Sequence, residues 1–150
     1  RIVGDAAAAN GILIALETHN CYLHDIATSC NKLMEQTGHD AVGLNYDHGN
    51  IFINRNGESI ADVFKLMGGK IYYAHLKNLI KPVGMALPGG FIPTRLKDGH
   101  INNRDIVDRL RQTLRSGMLA LEYPCSGDGI FAAEEDMEYM RSLKKYFNIA

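Results

Sequence analysis

Four separate apolar runs in this chain each end in a residue able to ligate a divalent metal. That recurrence constrains the fold more than any other feature. The runs are Ile12–Leu16 before Glu17, Val42–Tyr46 before Asp47, Ile71–Ala74 before His75, and Met118–Leu121 before Glu122. Near-continuous apolar runs fit parallel strands covered on both faces, not an alternating antiparallel sheet. A helical pattern follows three of the runs closely and the other beyond a longer loop. Strand–loop–helix units repeated in parallel put every strand's C-terminal end on one side, where α/β barrels build their active sites. Three carboxylates and an imidazole form a borderline-hard donor set suited to Mn²⁺, Mg²⁺, Co²⁺ or Zn²⁺. The order of the chain therefore predicts a converging metal site and an enzyme.

The remaining pattern fills in the units. Residues 2–10 read as a helix tail stopped by Asn10-Gly11. Asp25 is placed to cap a helix running to Thr37, with Ile26, Ala27, Cys30, Leu33 and Met34 as its apolar stripe. His48-Gly49-Asn50 reads as a turn out of the second strand, and a short helix spans Ser59 to Met67. Residues 78–102 hold Pro82, Gly84, Pro88, Gly89, Gly90, Pro93 and Gly99 and show no clear period. So long a loop reads as a lid or substrate loop. Asn103 then caps a helix to about Ser116. The last helix runs from Ala132 to Phe147 with Met137, Met140, Leu143 and Phe147 facing in.

With 150 residues, the chain is shorter than the roughly 250 of a complete (β/α)₈ barrel. It also begins at Arg1, in mid-pattern. Residues 1–150 are thus expected to be one half of a barrel, with two sheet edges and an interior face left open. Such a half is expected to associate with a missing N-terminal half-barrel or with a second copy of itself.

Sixteen basic and seventeen acidic residues give a net charge of −1, which offers no electrostatic footprint for nucleic acid or an anionic membrane. The local basic groups, Arg109, Arg111 and Arg115 and then Arg141, Lys144 and Lys145, read as solvated helix faces. No apolar stretch approaches the roughly 20 residues of a membrane span, and the N-terminus lacks a signal layout. Cys21, Cys30 and Cys125 form no C-x-x-C pair, so free thiols in a reducing cytoplasm are expected. Cys21 and Cys125 follow site strands and either line the pocket or serve as small buried hydrophobes.

The segments LETHN at 16–20, VGLNYDHGN at 42–50, YAHLKN at 73–78, LKDGHIN at 96–102 and LALEY at 119–123 together resemble the xylose-isomerase-like TIM-barrel superfamily, specifically its sugar-phosphate isomerase/epimerase branch. The resemblance covers nearly the whole chain, as strands five to eight of the barrel. It implies that Glu17, Asp47, His75 and Glu122 bind one divalent metal, with Glu17 and Glu122 also acting as catalytic acid and base. Three positions depart from the family pattern. Asn50 stands where a histidine is common, which points to a D-x-x-N subgroup. Asn78 replaces the aspartate of HLKD, and Lys97-Asp98-Gly99 lacks one glycine of G-x-G.

The implied reaction is isomerisation or epimerisation of a sugar or sugar phosphate, by proton transfer through an enediolate, with Mn²⁺ the expected metal. Lys77, two residues beyond His75 and on the same strand face, is placed to bind a substrate oxygen or to pair with a carboxylate. His19 and Asn50 are further candidate substrate contacts, Asn50 alternatively supporting a ligand; His48 is expected at the rim. Asp98 and His100 make a D-x-H pair or a solvated turn. His24 and His39 read as capping or exposed. Three other functions stay open: a keto-inositol or keto-acid dehydratase on the same metal site, an endonuclease-IV-like hydrolase, and a non-catalytic fragment.

Overall fold

Residues 1–54, 57–82, 90–122 and 128–149 are described by the computed structural model. Helix α1 (Ile2–Ala9) leads into strand β1 (Ile14–Glu17), and α2 (Ala27–Thr37) into β2 (Val42–Asp47). Two short helices follow, α3 (His48–Ile53) and α4 (Ile60–Met67), before β3 (Ile71–Leu76). A small hairpin of β4 (Asn78–Ile80) and β5 (Ile92–Thr94) precedes α5 (Asn103–Thr113), β6 (Leu119–Leu121) and α6 (Gly129–Tyr146). The main sheet has the order β1-β2-β3-β6, every pairing parallel. Strands that neighbour one another in chain order, joined by helices, wind as a sector of an α/β barrel.

Burial follows position in the sheet. Leu44, Tyr46, Ile71, Ala74 and Leu76 on the two inner strands are buried beneath α2, α4 and α5. The outer strands β1 and β6 are half-buried throughout. Ala27, Cys30 and Met34 face the sheet from α2, Val63 and Met67 from α4, and Ile106, Val107 and Leu110 from α5. These are the apolar stripes expected of amphipathic helices on a sheet.

Several boundaries differ from expectation, each for a physical reason. Strand β1 starts at Ile14; Ile12 and Leu13 are exposed, after a left-handed Gly11 whose neighbour Ile12 donates back to the Ala7 carbonyl. Asp25 does not cap α2. The cap is Ile26, whose N–H reaches the Ser29 hydroxyl, and Asp25 accepts from that hydroxyl. The open N–H groups of Ala27 and Thr28 go to the Glu58 carboxylate, the latter at 2.9 Å. Residues 48–50 begin a helix where a turn was expected, because Asp47 Oδ1 accepts from Asn50 N and caps α3.

Asn102, not Asn103, caps α5; Asn103 turns inward and donates to the carbonyls of Lys77 and Leu96. That helix stops at Thr113. Helix α6 starts at Gly129, three residues early, because Asp128 accepts from both Ile130 N and Phe131 N. Met137 is exposed, and Asp136 takes the inward place beside it, accepting from Leu96 N at 2.9 Å. Met140, Leu143 and Phe147 do pack inward.

The ends of the long 78–102 segment are ordered by Asn78. Its Oδ1 accepts from Leu79 N and Ile101 N, and its Nδ2 donates to the carbonyls of Leu96 and Ile101. The expected lid centre, with Gly84, Pro88 and Gly89, lies outside the described residues, as does Cys125. Cys30 is buried; Cys21 is exposed at φ 66°, so it is not the small buried hydrophobe expected of it. His39 is neither a cap nor exposed: Nε2 lies 3.1 Å from Asp5 Oδ1, and Nδ1 accepts from Ala41 N. No helix among the described residues is long and apolar enough to cross a membrane.

Candidate metal centre

Parallel pairing brings the strand ends together. Asp47 and His75 are register partners across β2 and β3. Glu17 closes β1 beside β2, and Glu122 follows β6, its N–H continuing the ladder to the Leu76 carbonyl at 2.9 Å. One ligand atom from each of the four lies within 4.8 Å of the others. His75 Nδ1 sits 3.3 Å from Glu17 Oε1, 3.4 Å from Glu122 Oε2 and 4.0 Å from Asp47 Oδ2. Ligands about 2.1 Å from one shared ion stand about 3–4 Å apart, the range of the three His75 contacts, so a small inward movement of the remaining pairs would let these donors share a single divalent cation. Three carboxylates with one imidazole nitrogen suit Mg²⁺, Mn²⁺, Co²⁺ or Zn²⁺.

The surroundings hold the donors in place. The side-chain nitrogen of Asn50 donates to Asp47 Oδ2 (3.1 Å), Thr18 O (2.9 Å) and Glu17 Oε1 (3.3 Å). Thr18 Oγ1 accepts from Asp47 N at 2.8 Å and donates to Asp47 O at 3.0 Å, bolting β1 to the end of β2. Asn45 shares a strand face with Asp47, and its amide nitrogen stands 3.2 Å from His75 Nε2. Lys77 Nζ reaches Asp47 Oδ2 at 2.8 Å and Glu122 Oε2 at 2.9 Å.

Electrostatics separate the carboxylates. Burial pushes the Asp47 carboxyl up to about 7, against the pull of the Lys77 ammonium. For Glu122 burial also raises, but hydrogen bonds with Asp47 and Lys77 and the charges of Lys77 and His75 outweigh it and hold the group below its usual range. For Lys77 burial lowers, yet the charge of Asp47 and its hydrogen bonds to Asp47 and Glu122 raise it overall. The Asp47 side chain is 0% exposed, whereas those of Glu17 and Glu122 are 34% and 39% exposed, so of the three carboxylates the two glutamates are the ones open to solvent.

Other candidates lie elsewhere. His19 is exposed, its ring edge-on to Tyr22 and its Nδ1 at 2.9 Å from the Asn20 carbonyl oxygen, outside the cluster. His48 is not at the rim: it is buried against Tyr46, and burial pushes it down to about 4. Asp98 and His100 form an exposed turn, with His100 Nδ1 accepting from Lys81 N. Thr18, Asn45 and Gly49 were missed by sequence reasoning. The two-residue period on β2 pointed to Asn45; nothing local marked the other two.

The family model described as xylose isomerase-like TIM barrel matches residues 1–143. A xylose isomerase-like TIM barrel protein from Mycobacterium smegmatis, in complex with magnesium, is 26% identical at a TM-score of 0.79, covering 96% of this chain and 48% of that one. The probable 3-DHS dehydratase AsbF from Bacillus anthracis is 20% identical at 0.76, covering 93% and 53%. The D-allulose 3-epimerase from Methylomonas sp. is 17% identical at 0.71, covering 93% and 51%. The chain thus spans about half the length of these solved structures. Among curated proteins none matches it.

Proposed function

The chain belongs to the xylose isomerase-like TIM-barrel family, and from that premise we propose that it is a divalent-metal-dependent isomerase or epimerase of a sugar or sugar phosphate. The observation that carries this reading is the convergence of Glu17, Asp47, His75 and Glu122 at the C-terminal ends of four adjacent parallel strands. We assign all four as ligands. Mn²⁺ is our choice of metal; the magnesium complex of the Mycobacterium smegmatis relative supports a hard divalent ion.

A divalent ion there supplies positive charge beside the carbonyl and hydroxyl oxygens of a substrate. The chain's own groups move the proton. Glu17 and Glu122 come from the two outer strands and flank Asp47 and His75. Both are reachable by substrate, and Glu122, held below its usual range, stands in the base form at neutral pH. One glutamate takes the proton from the carbon next to the carbonyl, leaving an enediolate. The other returns a proton, to the opposite face of that carbon for an epimer or to the neighbouring carbon for an isomer. Asp47, fully buried, is a ligand only, and Asn50 positions it.

The test is a panel of ketoses and their phosphates incubated with the Mn²⁺-loaded protein in deuterated water. The expected result is interconversion with deuterium gained at the carbon next to the carbonyl, reduced about 10²–10⁴-fold in Glu122→Gln. Ordinary turnover by Glu122→Gln would overturn the assignment. The same donors serve a dehydratase, a reading favoured by the likeness to the probable 3-DHS dehydratase; its product would be lighter by one water.

A further inference from the structure

Lys77 is the one cation among the described residues that touches the four-donor cluster, and its geometry is specific. Its side chain is 9% exposed, and its ammonium binds Asp47 Oδ2 at 2.8 Å and Glu122 Oε2 at 2.9 Å. Both oxygens also face His75 Nδ1, at 4.0 and 3.4 Å, alongside Glu17 Oε1 at 3.3 Å, which the ammonium leaves free of an ion pair. The ammonium therefore occupies lone pairs that a divalent ion between His75 and the carboxylates would need.

The route of the Lys77 stem is built into the fold. A Cβ added to Gly49 would stand 2.5 Å from Lys77 Cγ and 2.6 Å from Cε, so any larger residue there must push the stem aside. Gly49 lies on α3, whose cap is Asp47. One short segment thus supplies a ligand and the groove that delivers a cation to it.

We propose that Lys77 is the resident cation of this site: its ammonium holds Asp47 and Glu122 together until a divalent ion replaces it on the same two oxygens. The proposal rests on the metal-site reading above. An ammonium keeps oxygens at 2.8–2.9 Å, whereas a divalent ion draws them to about 2.1 Å. Both cations on the same lone pairs would repel strongly in a half-buried site. Loading is consequently an exchange, and the displaced ammonium swings toward the open side of the glutamates, where it can hold a substrate oxygen.

Calorimetric titration of the metal-stripped protein with Mn²⁺ in mildly alkaline buffer, with Lys77→Met beside it, tests this. The expected result is tighter binding by Lys77→Met, about tenfold or more, since the competing charge is gone. Thermal unfolding should show the variant less stable than wild type without metal and equal to it at saturating Mn²⁺. Equal or weaker affinity in the variant, or the same stability deficit with and without metal, would overturn the exchange. A second measurement needs no variant: the side-chain NMR signals of Lys77 should shift on saturation of the wild type with Zn²⁺, and unmoved signals also overturn it. Failure of the wild type to bind any divalent ion would defeat the metal-site reading and the exchange together. Binding without the Lys77 effects defeats the exchange alone.

Discussion

Asn50 holds both oxygens of Asp47: its backbone N–H reaches Oδ1 at 3.1 Å, and its side-chain nitrogen reaches Oδ2 at 3.1 Å. The backbone contact caps α3, and the side-chain contact fixes the carboxylate's rotation about its own bond. The same side-chain nitrogen reaches Glu17 Oε1 at 3.3 Å, so one amide ties carboxylates from β1 and β2. The Asn50 amide is therefore committed to orienting those carboxylates.

Asn50→Leu keeps the volume close and removes the donors, leaving Asp47 Oδ2 to Lys77 alone. Divalent-metal affinity should fall about 10–100-fold, the range seen when groups that orient metal ligands are lost. Calorimetry reads the affinity; unchanged binding would show that Asn50 does not orient the donors.

Thr18 ties the same two strands through the backbone. It is buried, and its hydroxyl both accepts from Asp47 N and donates to Asp47 O. Thr18→Val is close in shape but removes the hydroxyl that Asp47 N donates to and that donates to Asp47 O. The expected cost is about 1–3 kcal/mol in urea unfolding, because two buried hydrogen bonds are lost.

Gly99 approaches the Asn78 side chain so closely that an added Cβ would stand 2.1 Å from Oδ1 and 2.3 Å from Cγ. Asn78 cannot retreat, since its amide is spent on four backbone partners in residues 79–101. Gly99→Ala should therefore destabilise by about 1–3 kcal/mol, as overpacking does. Gly69→Ala is the control: nothing lies within 4 Å of its added Cβ, and its unfolding midpoint should stay near wild type.

Strand positions and the meeting of Glu17, Asp47, His75 and Glu122 at one sheet end were legible because buried parallel strands are continuous apolar runs, and their ends all lie on one side. Asp47 and His75 needed only that local pattern. Interactions between distant residues left no such mark. Glu58 serves the start of α2 from 30 residues away, and a local reading assigned the cap to Asp25. The α6 stripe was misread at Met137 because a buried carboxylate, Asp136, takes the inward place to accept from Leu96 N. His48-Gly49-Asn50 has turn composition, yet capping by Asp47 and burial make it helical. The fit of Gly49 to the Lys77 stem joins two elements and is invisible in either segment alone.

Neighbouring residues Asp47 and His48 should give opposite pH dependences of stability. Burial raises Asp47 from 3.8 to about 7, so between those values the folded metal-free chain binds more protons than the unfolded one. Its contribution is complete below pH 3.8 and declines as pH rises toward about 7. Burial lowers His48 from 6.5 to about 4, so there the unfolded chain binds more protons. That contribution is complete above pH 6.5 and declines as pH falls toward about 4. The two partly cancel in wild type. Relative to wild type, Asp47→Asn should gain stability as pH rises from about 4 to 7, and His48→Gln should gain as pH falls from 6.5 to about 4. Metal loading should depend on the same proton of Asp47. Below about 7 a divalent ion must displace it, so calorimetry in buffers of different ionisation enthalpy should register proton release that fades above that pH. Parallel stability profiles for the two variants, or metal uptake without proton release, would contradict the assignment of these burial effects.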